Sequence, residues 1–144
     1  MSSTRTDLRT AAAVVLVNSA VAGSRVIQGR ANTLDGTVFP VVYLYAVREQ
    51  IETQTIRPTN REQYRRLELI VDYYDVQTST STVIDNQFDT ASAAIEVAMM
   101  ADPTFGGVVS DCLLTNVEYV IEPDEDKRWG CARHTFQVIY ITRN

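Results

Sequence analysis

The run Tyr64-Arg65-Arg66-Leu67-Glu68-Leu69-Ile70-Val71-Asp72-Tyr73-Tyr74-Asp75-Val76 sorts its middle residues onto two sides: Leu67, Leu69, Val71 and Tyr73 on one, Glu68, Ile70, Asp72 and Tyr74 on the other. A period of two belongs to a β-strand, whose successive side chains point to opposite faces. One face is apolar and the other mixed, which suits a largely antiparallel sheet covered on one side.

Upstream, Val41-Val42-Tyr43-Leu44-Tyr45-Ala46-Val47 is rich in strand formers and begins directly after Pro40, and the short β-branched piece Ser24 to Gln28 reads as a further strand. Residues 48–63 are polar, hold Pro58 and Asn60 and lack a sustained apolar period. They are expected to form a long exposed loop, of the kind that binds a partner or orders on assembly. Downstream, Thr78 to Thr82 reads as a loop, and Asp85 as the N-cap of a helix with Phe88, Ala91, Ile95, Ala98 and Met99 on one face. That helix should stop at Asp102-Pro103, because the residue before a proline disfavours helical geometry. Two strands close the chain: Leu113 to Ile121, with Leu113, Val117, Tyr119 and Ile121 sharing a face, and Thr135 to Thr142, with Phe136, Val138 and Tyr140 opposite Ile139 and Ile141. The acidic segment from Glu122 to Lys127 connects them as a hairpin.

The N-terminus admits two readings. Arg5 and Arg9 precede the apolar run from Ala11 to Val17, and Ala20-Val21-Ala22 offers the small residues of a signal-peptidase site. Against this, Asp7 sits in the leader and Asn18-Ser19 interrupt the run. The same residues place Leu8, Ala11, Ala12, Val15, Ser19 and Ala22 on one helical face, with Thr4 and Asp7 as a capping box and Gly23 as the terminating residue. Cap and periodicity favour a structural helix. The expected architecture is a single α+β domain over 1–144, with two α-helices packed on a mostly antiparallel sheet in the order α-β-β-β-α-β-β.

At 144 residues the chain has room for one core, and with 13 basic against 18 acidic residues its net charge of −5 argues against a nucleic-acid reader. The charge is unevenly spread. Residues 1–66 carry nine arginines against five acids, whereas residues 67–144 carry four basic against thirteen acidic residues. Such asymmetry suits a protein whose opposite surfaces meet in repeated contacts between copies. Twelve of the thirteen basic residues are arginine, the fork-shaped donor enriched at interfaces. Arg57, Arg61, Arg65 and Arg66, on and beside the long connection, are candidates for contact with a neighbouring subunit or with the structure it assembles on.

Reactive chemistry finds little support. His134 shares a strand face with Phe136 and reads as a core histidine. Cys131, three residues away, should point to the opposite face, so the pair does not make a thiol nucleophile and its base. Cys112 and Cys131 with one histidine cannot supply a four-ligand zinc site. Glu122 to Asp126 lacks the glycine and ligand spacing of a calcium loop. Gly106-Gly107 opens a strand instead of a helix, so it reads as a turn and not as a phosphate cradle. Met99-Met100 reads as core filler. No metal, cofactor or catalytic residue is expected, and the chain is expected not to be an enzyme.

Several segments together resemble the tail terminator (minor tail protein U-like) family of long-tailed bacteriophages: the Arg-flanked N-terminal helix, Gly23-Ser24-Arg25-Val26, Phe39-Pro40-Val41-Val42-Tyr43-Leu44-Tyr45, the helix from Asp85 to Ala101, the segment Asp102 to Asp111, and Phe136 to Thr142. The most specific pieces are Asp102, Thr104, Gly106, Gly107, Val109 and Asp111, and the closing Tyr140 and Thr142. The resemblance implies a non-enzymatic virion protein at the tail–neck junction, made in the host cytoplasm. It implies a homohexameric ring that caps the tail tube, halts its polymerisation and presents the surface for head–tail joining. Its partners would be itself, the major tail tube protein and the head connector. Genome DNA would pass through without specific binding, and no membrane is involved. A neck protein of the connector is the nearest alternative. A small secreted binding domain with a Cys112–Cys131 disulfide is the next, and a Cys-dependent hydrolase the last.

Overall fold

A computed structural model describes residues 5–30, 39–53, 61–76, 84–123 and 128–143. Thr4, Arg57, the expected loop at Thr78 to Thr82 and the middle of the acidic hairpin lie outside these. Two helices, α1 (Arg5–Asn18) and α2 (Ile84–Ala101), pack on a five-stranded sheet made of β1 (Val26–Gln28), β2 (Val41–Thr53), β3 (Glu62–Val76), β4 (Asp111–Pro123) and β5 (Arg128–Arg143). The spatial order is β1-β2-β3-β5-β4, with β1 parallel to β2 and every other pair antiparallel. The α+β class and the order α-β-β-β-α-β-β are as expected from the sequence.

The alternation in β3 is what organises the layers. Leu67, Leu69, Val71 and Tyr73 are all buried beneath the helices, beside Val42 and Leu44 of β2 and Ala132, Phe136, Val138 and Tyr140 of β5. Leu8, Ala12 and Leu16 of α1, one turn apart, and Phe88, Ala91, Ile95 and Met99 of α2 close this core from above. Burying each of the larger side chains contributes about 1.5–3 kcal/mol. Met99 is fully buried, as core filler requires, whereas Met100, expected in the core beside it, is exposed. Gly130 lies directly under the Phe88 ring, where a Cβ would come within 3.1 Å of the ring and 2.7 Å of the Val120 carbonyl oxygen. The missing side chain lets Phe88 rest on the sheet and meet Tyr73 edge-on at 5.7 Å between centroids.

Four expectations are corrected. Residues 48–63 are not one long loop. Arg48–Thr53 continue β2 and Glu62 and Gln63 begin β3, paired antiparallel with each other; residues 54–60 lie outside the described residues. The apolar period is missing there because this end of the sheet is polar on both faces. Second, α1 ends at Asn18 and not at Gly23. Ala20, at φ 59°, takes the left-handed terminating position, its N–H donates to the Val17 carbonyl, and the Ser19 hydroxyl donates to that of Leu16. Third, Asp85 lies inside the first turn of α2, where its charge favours the helix dipole, and is not the N-cap. Fourth, Leu113 does not share a face with Val117 and Ile121. A bulge between Leu114 and Asn116 inserts Thr115 and inverts the alternation, so Cys112 and Leu114 face the helices while Leu113 turns outward.

Candidate functional site

The two ends of the strand order are unlike. At one, α1 lies over β1 and β2; at the other, α2 lies over β3, β5 and β4. Residues 5–30 bring Arg5, Arg9, Arg25 and Arg30 against the single acid Asp7. Residues 84–121 bring Asp85, Asp89, Glu96, Asp102, Asp111 and Glu118 and no basic residue at all. The charge asymmetry read along the chain is therefore an asymmetry across the sheet, with a basic flank and an acidic one.

Among the described residues β4 is the last strand at one side of the sheet, and its Leu113, Tyr119 and Val120 are exposed. On the other side, among the described residues, β1 pairs with Val42 to Leu44 and no strand pairs with the outer side of β2 from Ala46 onward, where Val47 and Ile51 are exposed. Arg30 lies there, its guanidinium over the Tyr45 ring at 4.9 Å and donating to the Ala46 carbonyl.

Among the sequence candidates, Arg65 and Arg66 lie next to each other in β3 and so point to opposite faces. Arg65 turns toward the helix side, donating to Glu49 at 3.0 Å, to the Thr142 hydroxyl at 2.8 Å and to Gln63. Glu49 also accepts from the Tyr140 hydroxyl at 2.7 Å and is paired with Arg5 of α1. Burial pushes the Glu49 carboxyl up, but hydrogen bonds from Tyr140, Arg5 and Arg65 outweigh it and hold it below the usual carboxylate range. Arg65, Tyr140 and Thr142 thus meet around an acid that sequence reading had not singled out. Glu49 sat in a stretch taken as loop, where its partners were invisible. Arg66 lies on the other face beside Arg48, Gln50 and Glu68, and Arg61 lies just before β3.

Asp102, Thr104, Gly106, Gly107 and Val109 form one turn between α2 and β4. The Asp102 carboxylate accepts from the Thr104 N–H and hydroxyl and from the Gly106 N–H, which holds its pKa down. Phe105, Gly106 and Gly107 take positive φ values of 51°, 71° and 91°, and Phe105 and Val109 are buried. This is the turn expected of the glycine pair. Asp111 opens β4 and accepts from the Cys112 N–H.

Groups with reactive potential are locked in the fold. Cys112 and Cys131 are free, buried and on opposite faces of the sheet, and burial pushes both thiols up to about 12. Cys112 pairs with Val138, seven residues along β5 from Cys131, a span of about 24 Å. No disulfide can join them, which removes the bridge from the secreted-domain alternative. His134 is fully buried and stacked on Phe136, with Nδ1 near the Val71 carbonyl and Nε2 without a partner; desolvation lowers its pKa. The Ser92 hydroxyl on α2 is likewise unpartnered, so no hydrogen bond joins it to His134. An open groove of about 510 Å³ between Ser19–Val21 and α2 has Tyr73 and Gln87 in its lining, and both are engaged with Asp75. Among the described residues no cluster of three or more metal-ligand side chains occurs, and no helix is long and apolar enough to cross a membrane.

Neither a family model nor a curated protein sequence matches the chain. Among solved structures it is similar to a chain of the virion of a native gene transfer agent particle, with a TM-score of 0.35 and 9% identity over 87% of this chain and 84% of that one.

Proposed function

We propose that the chain is a structural protein of a phage-like virion and, within that class, a tail terminator: a subunit of a homohexameric ring that caps the tail tube, stops its growth and offers the surface to which the head connector joins. The observation that carries this reading is the segregation of charge onto opposite flanks of one sheet, four arginines in residues 5–30 over β1 and β2 and six acids in residues 84–121 on the α2 and β4 side. A subunit that presents two different, mutually complementary patches assembles head to tail, and head-to-tail contacts that close produce a ring. The motif residues of the sequence resemblance support the same reading, because Asp102 to Val109 form one built turn that sets the start of the acidic edge strand. In such a ring, acidic side chains facing the channel would repel passing DNA instead of holding it.

Electron microscopy of particles assembled without the chain tests the proposal. Overlong tails are the expected result. Normal-length tails detached from heads would make it a neck protein instead, and complete particles with tails of correct length would overturn both.

A further inference from the structure

We infer that His134 is an acid-operated latch beneath α2: when its imidazole takes up a proton, α2 lifts from the sheet as a unit while α1 stays docked. This latch is independent of the ring-forming reading above.

The row Val71–His134–Val117 crosses the middle of the sheet. Its strands, β3, β5 and β4, are the ones α2 covers, whereas among the described residues α1 packs on β1, β2 and α2. The ring is fully buried, stacked on Phe136 at 6.5 Å between centroids, and its Nδ1 donates to the Val71 carbonyl at 3.3 Å. This suits a neutral imidazole, whose one N–H is engaged and whose other nitrogen is a bare acceptor. Among the described residues three buried side-chain polar atoms lack a hydrogen-bond partner. Two of them, His134 Nε2 on the sheet and the Ser92 hydroxyl on α2, belong to the two sides of this one contact.

Protonation adds a second N–H and a positive charge to that layer, and both are costly there unless met by an acceptor. The acids that bear on the ring are Glu96 of α2 and Asp72 of β3. Asp72 is on the opposite face of the sheet and already accepts from the Tyr45 hydroxyl and twice from Arg133. β4 sets Val117 beside the ring, with Glu118 turned the other way, and in β5 the neighbouring Arg133 is likewise turned away. The new N–H therefore finds its acceptors on α2, at Ser92 and at Glu96 one turn later, or in water admitted when α2 opens. Burial pushes the imidazole pKa down more strongly than the Val71 and Ala132 carbonyls and the two acids draw it up. The closed form thus refuses a proton that the open form accepts near pH 6.5. Each pH unit below that raises the open population by up to about tenfold, until the closed form also takes the proton.

The latch acts on α2 alone because α1 is held otherwise. Arg5 ties α1 to Glu49, which also accepts from Arg65 and Tyr140 and is held below the usual carboxylate range, so this tie is still ionised where the imidazole titrates.

Thiol labelling of the full chain tests the inference, because Cys112 is buried on the helix side of the sheet and Cys131 on the other. The probe is a dipyridyl disulfide, which reacts with exposed thiols in mild acid, and each rate is divided by that of a free thiol at the same pH. From about pH 7.5 to about pH 5.5 the Cys112 rate is expected to rise severalfold, up to about tenfold, with Cys131 unchanged, and in His134→Phe the rise should be lost. Equal rises at both cysteines, no rise at Cys112, or a rise that persists in His134→Phe would overturn the inference. His134 is the chain's one histidine, so its ring nitrogens are read without ambiguity by NMR. In Glu96→Gln their titration should move to lower pH, and an unmoved titration would also overturn the inference.

Discussion

The α1 and α2 flanks attach to the same sheet by different means. On the α1 side the helix contributes two leucines and an alanine to the core, and its first turn is tied to β2 through Arg5 and the buried Glu49, which also holds Arg65 and Tyr140. On the α2 side the attachment is mainly apolar, with Phe88 on Gly130 and Ile95 and Met99 fully buried, and Gln87 donates to Asp75 and the Val76 carbonyl of β3. One flank is fastened by a carboxylate that gathers arginines, the other by aromatic and aliphatic packing beneath an acidic exterior. The two fastenings can be broken separately.

The largest expected effect is on the apolar side. Phe88→Ala should lower stability by about 3–5 kcal/mol in urea unfolding, since it opens a cavity over Gly130. Glu49→Ala should cost about 2–4 kcal/mol by the same measurement, because it leaves Arg65 part-buried without its partner. The two losses should add, as the sites share no partners. Gly130→Ala should cost about 1–3 kcal/mol by overpacking, and Phe88→Leu in the same chain should recover part of it.

The flanks also differ in their response to acid. Glu49 has a folded pKa below its unfolded value. Its contribution is therefore present above about pH 4.3 and disappears as pH falls through the folded value. His134, also held below its ordinary value, acts at higher pH. The unfolded chain takes up a proton near pH 6.5 that the folded chain refuses until lower pH, so stability falls as pH drops from about 7 toward the folded pKa. In His134→Phe that upper limb of the stability profile should vanish, and the Glu49 limb should remain. The smallest effect on stability belongs to Leu113→Lys, within about 0.5 kcal/mol of the parent chain.

Sequence alone carried the element order, the layers and the buried rows of β3 and β5, because alternation and helical spacing are local signals. It carried the turn at Asp102 to Val109 for the same reason: aspartate, threonine and two glycines in this spacing announce a turn. The extension of β2 past Ala46 was hidden although its partner β3 follows it directly in the chain. Those residues pair charged and polar side chains across strands and show no apolar alternation. The bulge at Thr115 gave no signal either, and one inserted residue is enough to move Leu113 from the expected inner face to the open one. The charge split was visible in the chain, but its meaning needed the strand order, which sets β1 and β4 at opposite edges.

The sign of the salt dependence of self-association tests the pairing of unlike edges most directly. Sedimentation equilibrium of the full chain from low to high salt shortens the screening length from about 30 Å at 0.01 M to about 3 Å at 1 M. If the basic and acidic edges face each other, association weakens steadily across that range although each copy carries a net charge of −5. Association that strengthens with salt would mean that like charges meet between copies, and it would contradict the account.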